Sequence, residues 1–241
     1  MHGASRTYLA ACFVIVISAC GGGGYQAPTP MPPPSANFDM QAGMADMVTN
    51  GLSSNVGLSG TVTVNGVSTP FTGSGTFTRP PAVTVMFNGT AAMSQTTTVS
   101  GSIMAAGQTS SYSTSVTDYY ASSDSAFFGE VSANEYDVAQ SPIVFPTMIM
   151  GGSSGMLGTL SRYTDSTMSV SLGMVQVSYS TLTPIDTGSP IGIVVTTKIF
   201  DTQNMLIETD VTNYTMTSSN VISLSGASAQ NQSGMVTITV Q

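Results

Sequence analysis

Five acidic side chains near the middle of the sequence are the residues whose type is best suited to chemistry. They are Asp118, Asp124, Glu130, Glu135 and Asp137. Carboxylates are the usual ligands of calcium, and a pair of them catalyses glycoside hydrolysis. The spacing matches neither an EF-hand loop nor a regular aspartate repeat. We therefore interpret the five as a solvated acidic face, with a calcium site and a glycosidase pair as the alternatives.

A serine motif follows these acidic residues. Residues 151–155 read Gly-Gly-Ser-Ser-Gly and match the G-x-S-x-G pattern of a serine nucleophile. Such a serine needs a general base, and the only histidine is His2, at the start of the chain. The sole lysine, Lys198, has a valine three residues before it, so the S-x-x-K pattern is absent. We predict that the protein is not an enzyme, with no catalytic residue, metal ion or dissociable cofactor.

Residues 58–78 and 99–119 are two stretches of similar pattern, and we expect the rest of the fold to be organised around them. Each is a pair of alternating strands around a two-residue turn, Asn65-Gly66 in the first and Ala106-Gly107 in the second. Asn-Gly is a strong hairpin signal because a type I′ turn needs two residues that tolerate positive φ. The starts of the two stretches differ by 41 residues. This recurrence indicates a repeated structural unit.

Counting outward from each turn predicts the cross-strand partners. Gly60 faces Phe71 in the first hairpin, and Gly101 faces Tyr112 in the second. A strand glycine leaves a gap that a cross-strand aromatic ring can cover. We therefore predict two glycine–aromatic pairs, each of which stabilises its hairpin.

Alternating runs continue to the end of the chain and predict an all-β domain. Ser, Thr, Gly and Val dominate the composition, which favours strands and turns. Within residues 38–48, one phenylalanine and three methionines are spaced for one helix face or for a loose cap on the sheet. Residues 130–156 do not divide into hairpins, and 167–172 are predicted as a separate strand. The whole predicts an antiparallel meander of roughly 10–13 strands that forms a barrel, a half-barrel or a sandwich.

The charge balance excludes one class of partner. The 241 residues include 12 acidic and 4 basic side chains, for a net charge of −8. No basic patch offsets this charge, so the surface repels phosphates and nucleic-acid binding is excluded. Hydrophobic residues make up 41% of the chain, enough to build a core.

The N-terminus has the parts of a secretory signal. Arg6 precedes an apolar run from Leu9 to Ile17, which ends in Ile17-Ser18-Ala19-Cys20. This ending resembles the bacterial lipobox. The resemblance implies that residues 1–19 are removed, that Cys20 is lipidated, and, because Gly21 follows it, that the protein reaches the outer membrane. An ordinary signal peptide with an incidental Cys20 is the alternative.

The remaining segments complete the predicted organisation. Residues 20–37 form a glycine- and proline-rich tether, and residues 38–241 form a single β domain. We expect a membrane-anchored lipoprotein whose non-catalytic β domain has a structural or protein-binding role on either face of the outer membrane. The alternative is a lipid carrier or sensor with an apolar groove, which resembles the half-barrels of periplasmic lipoprotein carriers in architecture only. The expected partners are the membrane, through the anchor, and an envelope protein or lipid.

Overall fold

The computed structural model describes residues 37–64, 67–184, 186, 188–231 and 233–241. Within them the chain forms one helix followed by thirteen strands. The predicted signal peptide and Cys20 lie outside these residues, as does the turn Asn65-Gly66. The elements are α1 (Met40–Asn50), β1 (Leu52–Val64), β2 (Val67–Arg79), β3 (Val83–Phe87), β4 (Thr90–Ala105), β5 (Gln108–Tyr120), β6 (Phe127–Ser132), β7 (Glu135–Ile143), β8 (Ser154–Tyr163), β9 (Ser171–Leu182), β10 (Ile191–Phe200), β11 (Leu206–Met216), β12 (Ile222–Asn231) and β13 (Gly234–Val240).

Twelve of the strands close into an antiparallel barrel. Most neighbours in the barrel are also neighbours in sequence, and two pairings are not. β1 pairs with β13, with Val56 opposite Val240, and β2 pairs with β4, with Phe77 opposite Val99. β3 is an extra strand that pairs with the first part of β4. The predicted all-β antiparallel meander is confirmed, and of the three predicted architectures the chain adopts the barrel.

The two hairpins that the sequence singled out are β1–β2 and β4–β5. Their register is the one predicted by counting from the turns, with Gly60 opposite Phe71 and Gly101 opposite Tyr112. Ala106 and Gly107 have φ of 49° and 77°, as a type I′ turn requires. One end of the barrel, which we call the hairpin end, holds the paired residues Val64 and Val67 of the first hairpin and Ala105 and Gln108 of the second.

The helix α1 closes the opposite end, which we call the helix end. Asp39 caps its N-terminus, with Oδ1 accepting a hydrogen bond from the Ala42 amide at 2.9 Å. The methionines predicted to share one face are buried and pack against strand residues such as Ile193 and Tyr120. The 38–48 segment therefore contains a helix that supplies part of the core.

The prediction of a separate strand at residues 167–172 is wrong, and residues 130–156, which the sequence did not divide into hairpins, now have an assigned structure. Residues 167–172 are mostly a turn between β8 and β9, because Asp165 accepts a hydrogen bond from the Thr167 amide at 2.8 Å and Met168 has φ of 54°. Such a local side-chain acceptor competes with strand pairing. Residues 130–156 contain the second half of β6, all of β7 and the start of β8, together with a loop whose Ile149 bridges to Phe38.

The structure gives a reason for glycine at positions 60 and 101 that the sequence did not reveal. A Cβ on Gly60 would lie 2.2 Å from the Met235 carbonyl oxygen and 3.0 Å from the Phe71 ring. A Cβ on Gly101 would lie 2.2 Å from the Ser74 carbonyl oxygen, and Tyr112 is not among the three nearest groups. Both glycines therefore admit the close approach of a neighbouring strand. An aromatic ring covers the glycine in the first pair, where Phe71 contacts the Cβ position of Gly60.

The ring of Phe71 makes the first hairpin a sensitive site for truncation. Phe71 is buried in a cluster with Leu58 and Ile238. Phe71→Ala should lower the free energy of unfolding by about 3 kcal/mol, because it opens a cavity in this cluster. Denaturation by urea measures the loss, and the exposed Val67→Ala at the same hairpin is the control. A neutral Phe71→Ala would show that this ring does not stabilise the barrel.

Candidate functional site

The barrel interior contains charged side chains as well as apolar ones. Alternation along each strand sends every second residue inward, and register partners share a face. Asp118, Glu130, Asp137 and Arg162 are successive partners across β5, β6, β7 and β8, and so form one row on the inner face. The acidic members of the interior outnumber the basic ones. The inward-facing charged residues are Arg79, Asp118, Glu130, Glu135, Asp137, Arg162, Glu208 and Asp210.

Arg79 is the centre of the first polar cluster, near α1. Its Nε donates to Gln95 Oε1 at 2.6 Å, and its Nη2 donates to Asp118 Oδ2 at 2.7 Å and to the Tyr120 hydroxyl. Gln95 Nε2 donates in turn to the Met47 carbonyl oxygen at 2.8 Å, near the C-terminal end of α1. The cluster therefore links the helix to β2, β4 and β5.

Burial governs the titration of this cluster. It raises the pKa of Asp118, and the Arg79 guanidinium acts in the opposite direction. It also raises the pKa of the Tyr120 hydroxyl well above its ordinary value, which keeps that hydroxyl neutral. Arg79 and Asp118 are 7% and 9% exposed, so neither charge has a substantial alternative in bulk water. Each is compensated mainly by the other.

A second polar cluster lies toward the hairpin end. Arg162 Nη2 donates to Glu135 Oε2 at 2.7 Å. Asn231 Nδ2 donates to Glu208 Oε2 at 3.2 Å, and the Glu208 carboxyl also shares a hydrogen bond with Asp210. A hydrogen bond between two carboxyl groups requires that one of them carries a proton. This cluster therefore contains a protonatable pair.

Glu208 should make stability depend on pH. Burial raises its pKa above the ordinary value of 4.5, against hydrogen bonds to Asn231 and Asp210 that lower it. The folded protein therefore holds this proton more tightly than the unfolded chain. Its contribution to stability is greatest below about pH 4.5 and declines as the pH rises from there through the raised pKa.

Glu208→Gln should remove that contribution. We expect the wild-type melting temperature to fall more steeply than that of the variant as the pH rises above about 4.5, and the variant to melt higher at neutral pH. Asp165→Asn is the control, because hydrogen bonds to Thr167 lower the pKa of this exposed carboxyl below its ordinary value of 3.8. Asp165 therefore affects the melting temperature only at a more acidic pH. Equal slopes for wild type and Glu208→Gln would contradict the assignment.

The acidic residues singled out in the sequence do not form a solvated face. Asp137 is fully buried and Asp118 nearly so, because both follow the inward alternation of their strands. Asp124 alone is exposed, in the loop after β5, where its Oδ1 accepts a hydrogen bond from the Ala126 amide at 3.1 Å. Among the described residues, no three His, Cys, Asp or Glu side chains are placed to hold a metal ion.

The first three residues of the serine motif lie in a loop, and its last two begin β8. Ser153 Oγ accepts a hydrogen bond from the Met150 amide at 3.0 Å, and Gly152 has φ of 81°. The strand β8 begins at Ser154, whereas a nucleophile elbow leads into a helix. The motif therefore shapes a turn.

Cavities remain between the inward-facing side chains of the described residues. Two of about 210 and 190 Å³ lie along the middle of the barrel and share Arg79, Asp118 and Tyr214 in their walls. Another, of about 260 Å³, lies at the hairpin end, and we call it the hairpin-end pocket. None of the described residues that line it is charged. Its walls are Leu58, Thr61, Val62, Phe71, Ile103, Ala105, Tyr112, Ala229, Asn231, Ser233, Gly234 and Val236.

Sequence reasoning missed most of the interior. The sequence analysis did not single out Arg79, yet this residue shares the odd-numbered alternation of Phe71 and Phe77. Glu208 and Asp210 have the same alternation as Tyr214, within β11. Alternation was thus the available signal, and it would have placed all three charges inside.

Comparison with known proteins adds little to these observations. The sequence matches no family model and no curated protein. Among solved structures it is similar to a domain from Vibrio parahaemolyticus that is proposed to be an outer membrane lipoprotein-sorting protein. The two are 10% identical, the match covers 84% of this chain and 90% of that chain, and the TM-score is 0.28. A likeness this low carries no conclusion about fold or function. In the part of the chain described, no helix is long and apolar enough to cross a bilayer.

Proposed function

We propose that the protein is a lipid-anchored, non-catalytic barrel of the bacterial envelope that binds an apolar ligand at its hairpin end. The observation that carries the proposal is the hairpin-end pocket. Side chains from β1, β2, β4, β5, β12 and β13 surround it without filling it, and most of them are apolar. Protein interiors are normally close-packed, so an unfilled apolar pocket is the default candidate for a binding site.

The size of the pocket limits the ligand. Ligand sites usually enclose about 300–1,000 Å³. The hairpin-end pocket has about 260 Å³, just below that range. It suits one short hydrocarbon chain or a small ring system, and it is too small for a whole phospholipid. This favours the lipid-carrier or lipid-sensor alternative over a purely structural role.

Titration with N-phenyl-1-naphthylamine, a dye that fluoresces in apolar sites, tests the binding function. We expect saturable binding to the chain carrying Cys20→Ser, which removes the proposed site of lipidation. Ala105→Phe should abolish it, because Ala105 lines the pocket and a larger side chain fills the space. Ser111→Phe is the matched control, since Ser111 is exposed on the outer face of β5. Equal binding by both variants would contradict the assignment of the pocket.

The anchor has its own test. It is proposed from the lipobox resemblance at Cys20, with the membrane as the partner of the lipid. Radioactive palmitate fed to cells expressing the full chain should label the protein, and Cys20→Ser should lose both the label and the membrane association. Cys12→Ser is the control, because Cys12 belongs to the segment proposed to be removed. Labelling of Cys20→Ser would contradict the anchor.

A further inference from the structure

One polar atom in the hairpin-end pocket region lacks a partner. The hydroxyl oxygen of Tyr112 is buried and makes no hydrogen bond within the described residues. A buried hydroxyl without a partner is unfavourable, and most such groups are paired in folded proteins. Tyr112 itself lines the pocket, beside the apolar Phe71 and Ile103. A ligand in the pocket is the group that can supply the missing acceptor.

The hydroxyl is available as a donor. Burial raises the pKa of Tyr112 to about 12, so the side chain is neutral and carries its proton at physiological pH. The cross-strand partner of Tyr112 is Gly101, which has no side chain that could offer an acceptor. The acceptor must therefore come from elsewhere.

The charges in and around the pocket limit which kind of ligand can supply that acceptor. The described residues that line the pocket include no cationic side chain to compensate a bound anion and no carboxylate to compensate a bound cation. Farther inside the barrel, carboxylates outnumber the two arginines, and the whole chain carries a net charge of −8. An ion in an apolar pocket is stabilised only when it is paired. The surroundings therefore favour an uncharged ligand and disfavour an anionic one most.

We infer that the ligand is an uncharged amphiphile whose oxygen accepts a hydrogen bond from the Tyr112 hydroxyl, while its hydrocarbon part packs against Leu58, Phe71, Ile103 and Val236. An ester, a ketone or an alcohol of a short hydrocarbon has this chemistry, and a free fatty acid does not at neutral pH. Tyr112 is then the residue that distinguishes such a ligand from a plain hydrocarbon. The inference rests on the proposed function, since it names the ligand class of the same pocket.

Displacement of N-phenyl-1-naphthylamine tests the inference on the chain carrying Cys20→Ser. The competitors are methyl decanoate, which is neutral and has acceptor oxygens, and the decanoate anion. We expect methyl decanoate to bind at least tenfold more tightly than decanoate. Tyr112→Phe should weaken methyl decanoate about 3- to 10-fold, the effect of one neutral hydrogen bond, and leave the affinity for the dye, which has no oxygen, unchanged.

Tyr119→Phe is the matched control, because Tyr119 lies on the outer face of the same strand and stacks on Phe87. Its affinities should equal those of the wild type. If Tyr112→Phe binds methyl decanoate as the wild type does, or if decanoate binds equally well, the inference fails while the binding function stands. If wild-type protein binds neither the dye nor the ester, the binding function itself fails.

Discussion

Arg79→Met should lower the free energy of unfolding by about 3–5 kcal/mol, because it leaves a buried carboxylate without its partner. Asp118 is 2.7 Å from the Arg79 guanidinium and nearly inaccessible to water. The substitution also removes the hydrogen bond to Gln95, which holds the end of α1. Urea denaturation monitored by circular dichroism measures the loss. Lys198→Met, which removes an exposed cation from the outer face of β10, should have little effect.

The double variant separates the charge from the packing. If the loss in Arg79→Met arises from the orphaned charge, then adding Asp118→Leu should restore much of the stability, since the cluster then contains no unpaired buried charge. Lowering the pH should also help Arg79→Met more than the wild type, because protonation neutralises Asp118. An Arg79→Met protein as stable as the wild type would show that this ion pair is not required inside the barrel.

Gly101→Ala should destabilise the barrel by about 3 kcal/mol through overpacking. The new Cβ would lie 2.2 Å from the Ser74 carbonyl oxygen and 2.6 Å from the Gly75 Cα. These atoms are backbone of β2, so the β2–β4 pairing that closes the barrel must shift to admit the methyl group. The unfolding midpoint in urea gives the measurement, and amide hydrogen exchange along β2 and β4 locates the opening.

Gly57→Ala on β1 is the matched control for this prediction. Gly57 is also an extended strand glycine, but a Cβ there would first meet the Gln241 side chain, 3.1 Å away at the end of the chain. That side chain can move aside, and alanine reduces the entropy of the unfolded chain, so the effect should be small. Equal losses for the two variants would show that the close approach at Gly101 is not what matters.

The register of the two hairpins could be predicted from the sequence, but the closure of the barrel could not. The register around Gly60 and Gly101 follows from turn chemistry and alternation, which act over a few residues. Closure depends on β1 meeting β13 and β2 meeting β4, and no local pattern distinguishes those pairings from an open sheet. The three architectures therefore stayed equivalent until the structure was known.

The charged residues inside the barrel were not predicted from the sequence, for a different reason. Carboxylates and arginines are usually exposed, so the acidic residues from Asp118 to Asp137 were interpreted as solvated. The structure shows that alternation overrides residue type here, because Asp118 and Asp137 take the inward positions of their strands. The hairpin-end pocket could not have been predicted, since its volume depends on how completely side chains from six strands fill the space between them.

The β1–β13 pairing also fixes when this protein can fold. Most other strand pairs join neighbours along the chain, and each can form as soon as its hairpin exists. Val56 must wait for Val240, at the far end of the sequence. During synthesis, the first strand therefore presents an unpaired edge until the last one arrives, which is a state prone to aggregation. A chain that ends before Gly234 would retain that edge permanently, with β12 exposed as well.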